Sequence, residues 1–209
     1  MIIENITFNE KNMTFIIELS AEEKLKVSYE IYEALELKKE MELSSDLYNT
    51  LLEEDSFIKA KEIAVRFVNY KPRTRFEVER KLRMSKITDS NINKTLNYLE
   101  DKGYLDDIAF AKEFIRQCIE YKNFSLKKTK LKLYQKGIDK SISDGLLANF
   151  YNEDLEKNNA LKIAQKRARN LNLDEYKDQQ KLYSYLVSNG FSYSLAKSCI
   201  DELKRDINE

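Results

Sequence analysis

Gly103-Tyr104-Leu105-Asp106-Asp107-Ile108-Ala109-Phe110-Ala111 is the stretch whose reading decides the fold. A helical run from Leu96 to Lys102 leads into Gly103, a residue free to take the left-handed conformation that closes a helix. Tyr104 and Leu105 follow as large apolar groups on a short linker. Asp106 or Asp107 can accept hydrogen bonds from the first free amides of the next helix, whose dipole also favours an acid there. Ala109, Phe110 and Ala111 begin that helix. The order is helix stop, buried anchor, helix start, which predicts a joint between two helical units.

Outward from the joint the chain repeats itself. Ala64, Ala111 and Ala164 mark first helices, each within an apolar stripe such as Ile63 and Phe67 or Phe110 and Phe114. Second helices end in Leu82, Leu133 and Leu186, and an apolar residue (Ile87, Ile138 or Phe191) comes five positions later each time. Third helices are led by Ile92, Ile142 and Leu195. Gly137 and Gly190 occupy one slot just before the anchor, where the first unit has Lys86. A shared step and a shared glycine slot predict three degenerate three-helix units in which neighbours bury each other's faces. The expected fold is mainly α, with three tandem helix-turn-helix-like repeats in a curved, elongated array at 56–105, 106–153 and 154–209.

Residues 1–55 differ in kind. Met13, Phe15, Ile17 and Leu19 alternate with Asn12, Thr14 and Glu18, as in a half-buried strand. Asn9 to Asn12 read as the turn from an earlier strand through Ile3 to Phe8, Ser20 to Glu23 as a second turn, and Lys24 to Val27 as a third strand. A short helix over Tyr29 to Leu35 and another starting at Ser44 complete a small antiparallel segment, with its boundary near Glu54-Asp55-Ser56.

Composition narrows the function. The 209 residues include only 4 Gly and 1 Pro, with 34% charged, which favours a soluble helical protein. No apolar run approaches a membrane span and the start lacks a secretory pattern, so a cytoplasmic protein is expected. There is no histidine, and Cys118 and Cys199 lie far apart in apolar helical patterns, so neither a zinc site nor histidine acid–base chemistry is expected. No phosphate-cradling glycine loop is present. Glu100, Asp101, Asp106 and Asp107 straddle a helix end and a helix start, where capping accounts for them without a metal. No cofactor and no catalytic residue are expected.

Formal net charge is zero, but residues 1–55 hold 14 acids against 5 bases, and the remainder 22 acids against 31 bases. The excess gathers in three clusters. Lys71, Arg73, Arg75, Arg80, Lys81, Arg83 and Lys86 surround the turn made by Pro72. Lys122, Lys127, Lys128, Lys130, Lys132 and Lys136 are uninterrupted by an acid, with Leu126, Leu131, Leu133 and Tyr134 expected on the apolar side of the same helix. Lys162, Lys166, Arg167 and Arg169 form the third. One stripe per unit, in register across the repeats, predicts a surface for acidic protein or nucleic acid; Arg116 is added to it. Arg73 and Arg75 sit near a helix start, where a cation does not help the dipole, and reversing both is expected to leave folding intact.

The Gly103–Ala111 joint, with Tyr70 to Leu82 (YKPRTRFEVERKL), Leu133 to Ile138 and Leu186 to Phe191, resembles the signature of the RecX family, bacterial regulators of the recombinase RecA. The resemblance spans roughly residues 57 to 205. It implies tandem three-helix repeats, and a partner in the RecA–DNA filament. It also implies inhibition by limiting filament growth, ATPase and strand exchange without catalysis, in recombination, repair and the SOS response, by a protein that can also touch single- or double-stranded DNA. Gly103, Tyr104, Leu105, Asp106, Asp107, Phe110 and Ala111 are its structural motif. Tyr121-Lys122-Asn123-Phe124-Ser125 departs from it, because many relatives have a glycine there. A monomer is expected. The competing reading is a transcriptional regulator using one helix-turn-helix unit, which would place base-reading Arg, Asn or Gln at the start of a recognition helix.

Overall fold

The structure is a computed structural model that describes residues 1–20 and 22–208, with side chains to Arg205. Ala21 of the expected Ser20–Glu23 turn and Glu209 of the last unit lie outside the described residues. The elements are β1 (Ile3–Asn9), β2 (Thr14–Leu19), β3 (Lys24–Ser28), α1 (Tyr29–Ala34), α2 (Ser45–Tyr70), α3 (Arg75–Met84), α4 (Asp89–Asp101), α5 (Asp107–Glu120), α6 (Leu126–Gln135), α7 (Lys140–Phe150), α8 (Glu153–Ala168), α9 (Tyr176–Ser188) and α10 (Tyr193–Asn208). They divide into two compact units, Met1–Leu105 and Asp106–Glu209.

In the first unit β1, β2 and β3 form an antiparallel meander, with Ile6 opposite Ile17 and Ile17 opposite Leu25. Strand alternation puts Ile17, Leu19, Leu25 and Val27 in a core that includes Leu51 of α2. Met13 does not join that stripe. It sits in the turn at φ +51° and is 62% exposed, so the inward pattern starts one pair later, at Phe15.

The free edge of β3 carries amides that need acceptors, and α2 supplies them. Asp55 accepts from the Lys26 amide at 3.0 Å, and Glu54 from the Ser28 hydroxyl at 2.6 Å. Asp55 is buried and also pairs with Lys59. The boundary expected near Glu54-Asp55-Ser56 is therefore no linker. A single helix of 26 residues runs through it, seating Leu51 on the sheet and Ala60, Ala64 and Val68 in a second core with α3 and α4. The acids at the expected boundary fasten a strand edge.

The second unit holds two more clusters. Ala111, Ile115, Leu133, Ile138, Leu147 and Tyr151 unite α5, α6 and α7. Ala164, Leu182, Leu186, Phe191, Ala196 and Cys199 unite α8, α9 and α10.

One backbone device stops the second helix in all three helical groups. The amides of Ile87, Ile138 and Phe191 bond back to the carbonyls of Leu82, Leu133 and Leu186 at 3.2, 3.1 and 3.3 Å. Inside each loop the preceding residue bonds to Arg83, Tyr134 or Val187 at 2.9–3.0 Å. This is a Schellman stop, and its closing bond spans the five-residue step seen in the sequence. It requires a left-handed residue, which is Gly137 at φ +76°, Gly190 at +91° and, in the first group, Lys86 at +61°. Thr88, Asp139 and Ser192 then cap the next helix at once, accepting from the amides of Asn91, Ser141 and Leu195.

The Gly103 joint is a fourth copy. Gly103 is at φ +70°, the Tyr104 amide bonds to Leu99 at 2.8 Å, and Asp106 caps α5 through the Ala109 amide at 2.8 Å. Only Leu105 is the buried anchor; Tyr104 is 47% exposed. Where the Tyr121–Ser125 turn lacks a glycine, Asn123 takes φ +48°, one of the few side chains that tolerate it.

A left-handed lysine carries a cost that glycine does not, so Lys86→Gly is expected to stabilise the protein by about 0.5–1 kcal/mol in urea unfolding. Gly103→Ala meets no atom within 4 Å and should cost only the backbone strain, about 1 kcal/mol. Gly190→Ala should cost clearly more, because its new methyl would lie 2.5 Å from Ser125 Oγ and 3.2 Å from the Lys128 nitrogen.

Candidate partner-binding groove

The start of α6 is held by the three-helix group that follows it. Ser125, fully buried, accepts from the Lys128 amide at 3.0 Å and donates to the Asn189 carbonyl at 2.7 Å. Glu156 of α8 accepts from the Leu126 amide at 3.0 Å, and burial raises its pKa. Lys128 reaches across to Asn189 Oδ1 at 2.6 Å with its ammonium 4.2 Å from the Phe124 ring centre, and burial lowers its pKa. Beneath these, Tyr151 Oη lies 2.7 Å from Thr129 Oγ1 and donates to the Phe124 carbonyl, which also accepts from Asn159. Burial pushes the Tyr151 phenol up to about 12, so it stays a neutral donor at any working pH. These hydrogen bonds tie α6 to the helices that follow it, with Asn159 Oδ1 buried without a partner among the described residues.

Between α6 and the α9–α10 joint lies a groove of about 650 Å³. Lys127, Lys130, Lys132 and Lys140 line it, and none of its lining residues is acidic. Lys127 is exposed and has no ion pair among the described residues; Lys130 touches Asp144, and Lys132 bonds to Gln135 at 3.1 Å. The expected apolar side of α6 is mostly not core. Leu133 and Thr129 are buried, whereas Leu126, Leu131 and Tyr134 are 39%, 53% and 76% exposed. Only a helix period of four between Thr129 and Leu133 faces inward, and a threonine gives little signal for it.

The other predicted cations divide by role. Arg73 is not a surface group: its side chain is 14% exposed, stacked 3.9 Å from the Phe67 ring centre and 3.8 Å from Glu77. Arg75 bonds to Glu100 at 2.6 Å, and Arg83 to both Glu79 and Asp89, which raise its pKa. Arg80 is exposed. Arg116 is exposed beside Glu113 at 3.8 Å. Lys162 and Lys166 are exposed on α8 and Arg169 just past its end, and Arg167 lies 5.5 Å from the Tyr185 ring centre. The clusters are not in register as expected. The first two lie mainly on second helices, α3 and α6, but the third lies on a first helix, α8. The helix equivalent to α6 is α9, whose Lys177 and Lys181 share a shallow depression with Arg167 and Tyr185. Sequence reading missed Lys177, Lys181 and Lys140, although Lys177 and Lys181 have the four-residue spacing of one helix face.

Cys118 and Cys199 are free and buried, and burial raises both thiols, Cys199 to about 11, so neither is poised as a nucleophile. Among the described residues no acid, cysteine or histidine cluster suits a metal, and no helix is long and apolar enough to cross a membrane.

Successive helix triplets with a shared stop, a strand-built N-terminal segment and a lysine-lined groove define a helix-turn-helix-like repeat protein. Residues 60–99 match the family model of RecX, first three-helix domain, and residues 154–200 that of RecX, third three-helix domain. The regulatory protein RecX of Finegoldia magna is 34% identical over 94% of this chain and 97% of its own length. That of Clostridium beijerinckii is 31% identical over 88% and 87%. Among solved structures, a regulatory protein RecX superposes with a TM-score of 0.74 at 25% identity, covering 96% of this chain and 98% of that one. RecX from Lactobacillus salivarius gives 0.62 at 32% identity, covering 72% and 97%. The chain belongs to the RecX family.

The two roles of the cations separate in experiment. Arg73→Ala is expected to lower stability by about 1–2 kcal/mol through lost packing and cation–π contact. Lys127→Ala and Lys162→Ala should stay within about 0.5 kcal/mol of the parent in the same urea titration.

Proposed function

We propose that the chain is a non-enzymatic modulator of the RecA recombinase, an inhibitor that binds the RecA–DNA filament and limits its growth, ATPase and strand exchange. The role lies in recombination, repair and the SOS response, and the protein acts as a cytoplasmic monomer without a cofactor. The observation that carries this reading is the match along 94% of the chain to a regulatory protein RecX. The exposed cations Arg80, Lys127, Lys162, Lys166, Arg167 and Arg169, with the half-buried Lys130 and Lys132, support it as the groups facing acidic filament surface or phosphates. Arg75, Arg83 and Arg116 would contribute from existing ion pairs, and Arg73 and Lys128 position their neighbours. We assign this binding to three helical repeats, 56–105, 106–153 and 154–209.

Inhibition of this kind needs no bond to be made or broken. It needs only that the bound chain favour one state of the filament over another. The alternative of a base-reading transcriptional regulator has less support, because the exposed start of α6 offers Leu126 and Lys127, not a bidentate Arg, Asn or Gln.

The test is the single-strand-dependent ATPase of RecA with this protein at substoichiometric dose and two salt concentrations. Loss of ATPase at low dose, weakened by salt, is expected, since each ionic contact released costs affinity as salt rises. No effect at stoichiometric excess overturns the proposal.

A further inference from the structure

We propose that the groove between α6 and the α9–α10 joint takes an acidic peptide segment of a partner protein, anchored by one large apolar side chain. The argument starts from what α6 leaves uncovered. Leu131 and Tyr134, 53% and 76% exposed, line the groove together with Val187 and the buried Ile138. A helix that leaves a leucine and a tyrosine beside a concave apolar wall has a place for one more apolar group.

Charge fixes the chemistry around that place. Lys127, Lys130, Lys132 and Lys140 ring the groove with no lining carboxylate among them. Lys130 is paired with Asp144; aspartates or glutamates flanking an anchor would meet Lys127, Lys132 and Lys140 at the rim, which an apolar peptide without acids would not.

The same surface fits a nucleic acid strand less well. Bound bases stack on successive aromatic rings or guanidinium planes. Here Tyr134 is the one aromatic residue lining the groove, and no arginine lines it. The remaining apolar wall is aliphatic, which suits a phenylalanine or leucine side chain rather than a series of bases.

The groove is also preformed. Ser125, Lys128 and Glu156 bind α6 to the following helices through Asn189 and Leu126, so a ligand meets an ordered surface and loses less entropy on docking. This inference rests on the RecA reading only for the origin of the peptide. It is tested without RecA.

The probe is a fluorescein-labelled peptide of alternating aspartate and glutamate with one central phenylalanine, titrated with the full chain and followed by anisotropy. A control peptide has serine at the centre, and a short oligothymidylate serves as competitor. The phenylalanine peptide should bind at least about tenfold more tightly than the serine peptide. Leu131→Ser and Tyr134→Ser, both at exposed positions, should each weaken it about tenfold, and Lys39→Ser in the N-terminal segment should leave it unchanged. Equal binding of the two peptides, no binding of either, or displacement by oligothymidylate at lower concentration than by unlabelled peptide overturns the proposal. Should Leu131→Ser lose the peptide preference yet still suppress the RecA ATPase, the groove assignment stands and RecA is not the source of the peptide; should the preference be absent from the start while suppression remains, the groove assignment falls and the RecA reading stands.

Discussion

Each helical group depends on one hydrogen bond, from the amide of an apolar residue back to the carbonyl of a buried leucine five positions earlier. Leu82, Leu133 and Leu186 are fully buried, so the carbonyls at those helix ends sit away from water and need a partner. The bond to Ile87, Ile138 or Phe191 provides it, and brings two apolar side chains together as it does so. Because a capping Thr, Asp or Ser follows directly, the chain ends one helix and begins the next within a few residues. Direction of the third helix is thereby set by backbone chemistry, and side-chain packing refines it.

In the second unit the same bond bears on the groove. The stop of α9 places Asn189 and Gly190 at the surface of α6, and there the Asn189 carbonyl accepts from Ser125 while its amide oxygen accepts from Lys128. Gly190 must lack a Cβ for two reasons at once: its φ of +91° and its closeness to Ser125. A residue that looks in sequence like a helix terminator is therefore also a packing contact between consecutive triplets. The lysine that seems most central to the basic helix, Lys128, is spent on this contact. Lys127, by contrast, is exposed, with no ion pair among the described residues.

The fold was largely legible because its determinants are local. Gly103, Gly137, Gly190, the five-residue step and the strand alternation all act within a few residues of themselves. Ser44, Asp106 and the three strands stand where local chemistry places them. Misreadings arose where a residue answers to something distant in sequence. Asp55 reads as a boundary, yet it satisfies the amide of Lys26, 29 residues away. Arg73 reads as a surface cation, yet it lies on Phe67 of the preceding helix. Leu131 and Tyr134 read as core because apolar residues normally are, and only three-dimensional packing shows that Thr129 and Leu133 hold the inward face. Lysine count identified the basic helix; it did not separate lysines that face a partner from those that hold the protein together.

The central claim is that α6 is the face this chain turns toward its partner, and lysine footprinting addresses it most directly. The full chain is labelled briefly with an amine-reactive ester, alone and with RecA filaments assembled on single-stranded DNA, and each lysine's modification is read by mass spectrometry. The account predicts that Lys127, Lys130 and Lys132 lose reactivity in the presence of filaments, while exposed Lys38 and Lys39 of the N-terminal segment keep theirs. Unchanged reactivity of the three α6 lysines, with protection confined to lysines elsewhere, would contradict it.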